Sequence, residues 1–119
     1  MTEPTRKVRD LVVERDGYRC LGCGTDIRSS YWWSLQHRKA RGQGGGNGCE
    51  NLVTLCGSAT SAGCHMLCEA RDPEMTARGL VVPSWNDPGE TPVVLWTGEA
   101  VFLTEDGLYR DHWTPPPAA

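Results

Sequence analysis

Phenylalanine occurs once in this 119-residue chain. A domain of this size with so few large apolar side chains has a thin core, so something besides burial is expected to hold it. No apolar run approaches the roughly 18 residues that a membrane helix needs, which excludes a spanning helix. The first residues, Met1-Thr-Glu-Pro-Thr-Arg-Lys, have no apolar stretch behind their charges, so no secretory signal is expected and a cytoplasmic setting is. Glycine (14) and proline (8) stay below the level of a low-complexity chain, and no internal repeat is present. The balance of 39% hydrophobic and 23% charged residues is globular. One domain over residues 1–113 with a disordered tail at 114–119 is the expectation.

Six cysteines stand against these shortages: Cys20, Cys23, Cys49, Cys56, Cys64 and Cys68. In a secreted chain an even count would suggest disulfides; without an export signal the reading shifts to metal ligation. Cys20 and Cys23 have the spacing that lets two thiolates bind one zinc ion from a tight turn. Cys56 and Cys64 supply a second pair, completing a tetrahedral set of four. Zinc there would close a long loop and fix both its ends, which a thin core does poorly. The plain alternative is four unrelated buried cysteines. Cys68, one turn beyond Cys64, is either a substitute ligand or, as expected here, an interior residue.

The net charge of -3 argues against a general nucleic-acid binder, but its distribution is uneven. Residues 1–41 carry a local charge of +4 and residues 42–119 one of -7. Such a split suits one face for a phosphate backbone and another for solvent or a protein, although a solvated helix and an acidic tail would give the same count.

The pattern predicts a helix over Thr5–Arg15, with an apolar stripe at Val8, Leu11 and Val12 extended by the Arg15 stem; Thr5 caps it and Gly17 ends it. Strands are expected at 31–37 and 52–55, separated by an irregular basic and glycine-rich loop over 38–50. A helix should start at Cys64, and a second at Asp72-Pro73-Glu74, ended by Gly79. Short strands are expected at 80–82, 93–96, 100–103 and 108–109. His37 ends a strand beside Arg38, Lys39 and Arg41, where a phosphate could be held. Asn51 opens the next strand, and His65 follows a candidate zinc ligand.

The stretch Leu35-Gln-His-Arg-Lys-Ala-Arg-Gly-Gln-Gly-Gly45, then Asn51-Leu-Val-Thr-Leu-Cys-Gly-Ser58, then Gly63-Cys-His65, resembles the HNH endonuclease family, in its zinc-containing actinobacterial and phage form. The similarity covers about residues 17–71 and is weaker beyond. It implies an α+β fold: a ββα-metal core with a structural four-cysteine zinc site, an N-terminal helix and a short C-terminal β-hairpin region. It implies metal-dependent cleavage of double-stranded DNA with low sequence specificity, nicking if the chain is monomeric. On that likeness His37 is the general base, Asn51 ties the long loop, and Gln36 and His65 ligate the catalytic cation, which would be Mg2+ or Mn2+, with Ni2+ and Zn2+ as further options. The glycine pair Gly44 and Gly45 would let the backbone approach a phosphate. Arg38, Lys39 and Arg41, with Arg6, Lys7 and Arg9 on the helix, would contact phosphates. A phage terminase subunit is the protein partner that the resemblance implies, in the cytoplasm of a bacterium or infected host.

Three departures are plain. The residue before the base is usually Asp, Glu or His, and here it is Gln36. A second downstream His has no match; Cys68, Glu69 and Arg71 occupy that stretch. The Cys56–Cys64 spacing is wider than usual. Moreover, Gln36 and His37 would face opposite sides of a flat strand, so a bulge or turn is expected at His37. The rival reading is a non-catalytic zinc module, derived from such a nuclease, that binds DNA or a protein. A nucleobase deaminase fails because its His-x-Glu and Pro-Cys-x-x-Cys signatures are missing.

Overall fold

A computed structural model describes residues 3–29 and 32–112; Tyr31 and the expected tail lie outside the described residues. Helix α1 spans Arg6–Arg15, and Thr5 Oγ1 accepts from Val8 N to cap it, as the sequence predicts. Strands β1 (Trp33–His37) and β2 (Leu52–Cys56) pair antiparallel, with Gln36 opposite Val53 and His37 opposite Leu52. Helix α2 spans Gly63–Glu69 and packs against both strands. Helix α3 spans Pro73–Ala77; Asp72 caps it by accepting from Glu74 N and Met75 N. The chain ends in a three-stranded antiparallel sheet of β3 (Val93–Val94), β4 (Ala100–Leu103) and β5 (Tyr109–Arg110), in that order. The architecture is α+β, and no described helix is long and apolar enough to cross a membrane.

The core is aliphatic and sulfur-rich. Leu21, Val53, Leu55, Leu80, Val93 and Leu103 pack with Cys20, Cys64 and Cys68 between the β1–β2 pair and the C-terminal sheet. A smaller cluster joins α1 to β2 through Val12, Cys49 and Leu52. The lone Phe102 is only half-buried.

Two buried arginines stitch these clusters together. Arg15 pairs with Asp16 and donates to the carbonyls of Cys49 and Leu52, while Asp16 accepts from Thr54 N and Tyr109 Oη. Arg38 is 1% exposed, and its guanidinium donates to four carbonyls, those of Gly79, Glu50, Pro88 and Thr91. Burial above all pulls its pKa down to about 9.

Some expectations are corrected. Residues 80–82 form no strand: they are buried but the chain bends at 80 and 81, Val82 N bonds to the Arg38 carbonyl, and Arg78 O takes the neighbouring bond from Val94 N. A short apolar run reads as a strand from its sequence even when no ladder partner is at hand. The loop over 38–50 contains two single 3-10 turns, at Arg41–Gln43 and Cys49–Asn51. Of the bulge or turn expected at His37, the change of direction is found: the β1–β2 register has no bulge, the strand stops at His37 and the chain bends over residues 38–39.

Candidate metal and nucleic-acid site

Cys20 and Cys23 sit on the turn between α1 and β1, which an isolated antiparallel bridge, Arg19 to Asp26, closes at its base. Leu21 N bonds to Thr54 O and fixes that turn on β2. Gly22 belongs here because a Cβ would lie 2.7 Å from Cys64 Sγ. Cys56 ends β2 and Cys64 lies in the first turn of α2. The four sulfurs all lie within 4.8 Å of one another, and Cys23 Sγ is 3.8 Å from Cys56 Sγ. A tetrahedral zinc with bonds of ~2.3 Å spaces its sulfurs by about 3.8 Å, so the set can hold such an ion.

Electrostatics point the same way. The hydrogen bond with Cys64 holds the Cys20 thiol well below its ordinary value, and that same bond raises Cys64. Burial raises Cys56. Four sulfurs this close cannot all ionise without a cation among them. Cys49 and Cys68 stand apart from the set: both are 2% exposed, and burial pushes the Cys68 thiol up to about 12. Cys68 is therefore an interior thiol, as expected.

The second centre is a cavity of about 330 Å³ beside β1 and α2, lined among others by Gln36, His37, Arg41, His65, Glu69 and Arg71. His65 is 8% exposed, and burial lowers its pKa, so the ring is neutral near pH 7. Its Nδ1 meets Ser34 Oγ. Ser34 donates its single proton to Gly57 O at 2.8 Å, so the hydroxyl accepts from His65 Nδ1–H. That tautomer leaves the lone pair on Nε2. His37 Nε2 lies 2.8 Å from Asn47 Oδ1, an acceptor, so Nε2 carries a proton and, in the neutral ring, the lone pair is on Nδ1.

Asn51 is 1% exposed at the start of β2. Its Oδ1 accepts from Lys39 N at 2.8 Å, and its Nδ2 donates to Lys39 O at 3.0 Å and Gly46 O at 2.9 Å. The side chain ties both ends of the loop. Gly45 serves that same closure rather than a ligand, since a Cβ there would sit 1.7 Å from Lys39 O.

Gln36 is 5% exposed, lines the cavity, and forms no side-chain hydrogen bond with any described group. An amide oxygen and an imidazole nitrogen on one cavity are donors of the kind a divalent cation accepts.

Arg38 is corrected as a phosphate contact. Its guanidinium is spent on four backbone carbonyls inside the protein, so among the three loop cations Lys39 and Arg41 are the accessible ones. Arg41 lies 3.6 Å from Glu3 and also lines the cavity. Arg6, Lys7 and Arg9 are exposed on α1.

Sequence reasoning missed Ser34 and Asn47. Ser34 had a signal, because it shares a β1 face with Gln36 two residues on. Asn47 had none, since its placement depends on how the glycine-rich loop folds back. No protein-family model, curated protein or solved structure matches the chain.

Proposed function

We propose that this chain is a metal-dependent DNA endonuclease of the HNH type, with a structural zinc on Cys20, Cys23, Cys56 and Cys64. The observation that carries the reading is the pair of histidines on one cavity, each with its tautomer fixed and one lone pair open: Nδ1 on His37 and Nε2 on His65. These are the two functions that phosphodiester hydrolysis requires, a base for water and a ligand for a cation. His37 Nδ1 takes a proton from the attacking water, while Asn47 holds the ring through Nε2. Asn51 keeps the His37 end of the loop in place. Gln36 and His65 would hold a divalent cation, which would supply charge stabilisation at the phosphate and the departing 3′ oxygen. Arg41 and Arg71 line the site and bring positive charge for neighbouring phosphates, and Lys39, on the same loop outside the cavity, adds to it. The water oxygen bonds to phosphorus as the phosphorus–O3′ bond breaks, and O3′ takes a proton from solvent water, leaving 5′-phosphate and 3′-hydroxyl ends. One such site cuts one strand, so a monomer nicks.

The neutral Gln36 favours the rival, a zinc module that binds without cutting. Nicking of supercoiled plasmid by zinc-loaded protein decides between them, with Mg2+ or Mn2+ added and His37→Ala alongside. Open circles from wild type only, and only with added cation, establish the nuclease. Equal inactivity of both, with DNA binding and zinc retained, hands the chain to the binding module.

A further inference from the structure

Helix α2 presents His65 and Glu69 at i and i+4, so their side chains rise from one face about 5–6 Å apart at Cβ. Both line the 330 Å³ cavity, and Gln36 enters it from β1. Three unlike donors therefore line one cavity: the His65 imidazole, the Gln36 amide oxygen and the Glu69 carboxylate. Each is uncommitted within the protein on its cavity side. His65 spends Nδ1 on Ser34 and keeps Nε2. Gln36, 5% exposed, makes no side-chain hydrogen bond among the described residues, and its amide opens onto the cavity rather than being sealed in the core. Glu69 forms neither an ion pair nor a hydrogen bond among them, although Arg71 lines the same cavity.

Imidazole and amide together carry no charge, and a divalent cation held by neutral donors alone is held loosely. Glu69 brings the missing negative charge from the helix, one turn beyond His65. We propose that Glu69 is the anionic ligand of a divalent cation held by His65 Nε2 and Gln36 Oε1. The charge that a carboxylate at position 36 would bring is thus supplied from α2. The mixed nitrogen and oxygen set suits Mn2+ or Mg2+ over a thiophilic ion. This inference rests on the cation-binding reading of the cavity given above.

The test titrates Mn2+ alone into zinc-loaded protein and follows free Mn2+ by electron paramagnetic resonance, in which zinc is silent. Wild type should bind one Mn2+ beyond its zinc. Glu69→Gln, isosteric and exposed, should weaken that affinity on the order of tenfold or more, and His65→Ala should do likewise. The exchange Gln36→Glu with Glu69→Gln should recover much of the loss, because it returns the charge from the strand. Glu74→Gln, an exposed acid on α3, should leave affinity unchanged. Zinc content and circular dichroism show that each variant is folded. Unchanged affinity in Glu69→Gln beside a loss in His65→Ala overturns the role of Glu69 and leaves the cation site standing. No Mn2+ bound by folded wild type, or unchanged affinity in both variants, overturns the site and with it the catalytic reading.

Discussion

Asn51 and Lys39 lock together through both edges of one amide: Oδ1 accepts from Lys39 N and Nδ2 donates to Lys39 O. A third bond, from Nδ2 to Gly46 O, draws the far side of the loop onto the same side chain. Eleven-odd residues of irregular chain are thereby held from one buried position, next to the strand end that carries His37.

Asn51→Ala should therefore do more than remove one contact. It leaves buried backbone groups without partners and should lower stability by about 2–4 kcal/mol, read as the urea midpoint. Nicking should fall by more than the unfolded fraction explains, because His37 loses its anchored loop. Asn51→Asp keeps the acceptor to Lys39 N and loses both donations, so it should fall between the two.

Asn47 governs the orientation of His37 through a single bond at 2.8 Å. Asn47→Ala should lower the nicking rate about 10- to 100-fold with little change in stability. Asn47→Asp should restore orientation and favour protonated His37, moving the rise of the pH–rate profile to higher pH. A profile identical to wild type in both variants would dismiss the contact.

Arg38 and Arg41 stand three residues apart and have opposite fates. Arg38→Ala strips a buried cation from four carbonyls and should cost about 3–5 kcal/mol; Arg38→Lys should rescue little, because one ammonium cannot reach all four. Arg41→Ala should leave the urea midpoint nearly unchanged and reduce the slope of log affinity against log salt for DNA by about 1.

Glu50 gives a pH test of the fold. Burial, chiefly, raises its carboxyl above the ordinary 4.5, and Oε1 is buried without a partner. Between 4.5 and the raised value the folded chain holds more protons than the unfolded one, so stability falls as pH rises through that window. Glu50→Gln removes this cost. Its urea midpoint should exceed that of wild type at pH 7, and the difference should vanish at about pH 3.5, where both side chains are neutral.

Metal analysis should find one zinc per chain, retained in Cys49→Ser and Cys68→Ala and lost in Cys23→Ser or Cys64→Ser. A chelator strong enough to remove the ion should unfold the chain cooperatively, seen as loss of far-ultraviolet dichroism, because so much of the core is the sulfur cluster itself.

Much of this molecule is legible from local chemistry. Thr5 and Asp72 have side chains whose oxygens cap a helix whatever surrounds them, so α1 and α3 could be read from short windows. The paired cysteines carry their meaning in their spacing. Arg38 is illegible for the opposite reason. A basic residue beside a histidine in a basic run reads as surface, and its burial depends on carbonyls 12 to 53 residues away. Residues 80–82 fail likewise, since whether an apolar run joins a ladder depends on who lies beside it. The cavity's Gln36 was visible as an oddity of type, while its lack of a partner needed three dimensions.

Cys64 and His65 are consecutive, at the start of a helix that has no side-chain cap. What stands in for the cap is Cys56 Sγ, which accepts from Cys64 N at 3.4 Å. The same sulfur that would grip zinc thus also sets where α2 begins and how its second residue is aimed. On the proposed reading, filling the two centres would then be ordered: the first ion would build the helical start, and only afterwards would the second find its imidazole in position. Because such linkage runs both ways, occupancy of the cavity should in turn slow the escape of zinc. If the proposed cutting chemistry holds, a chain made during zinc shortage would be not only unstable but silent, its activity withheld until the scaffold ion arrives.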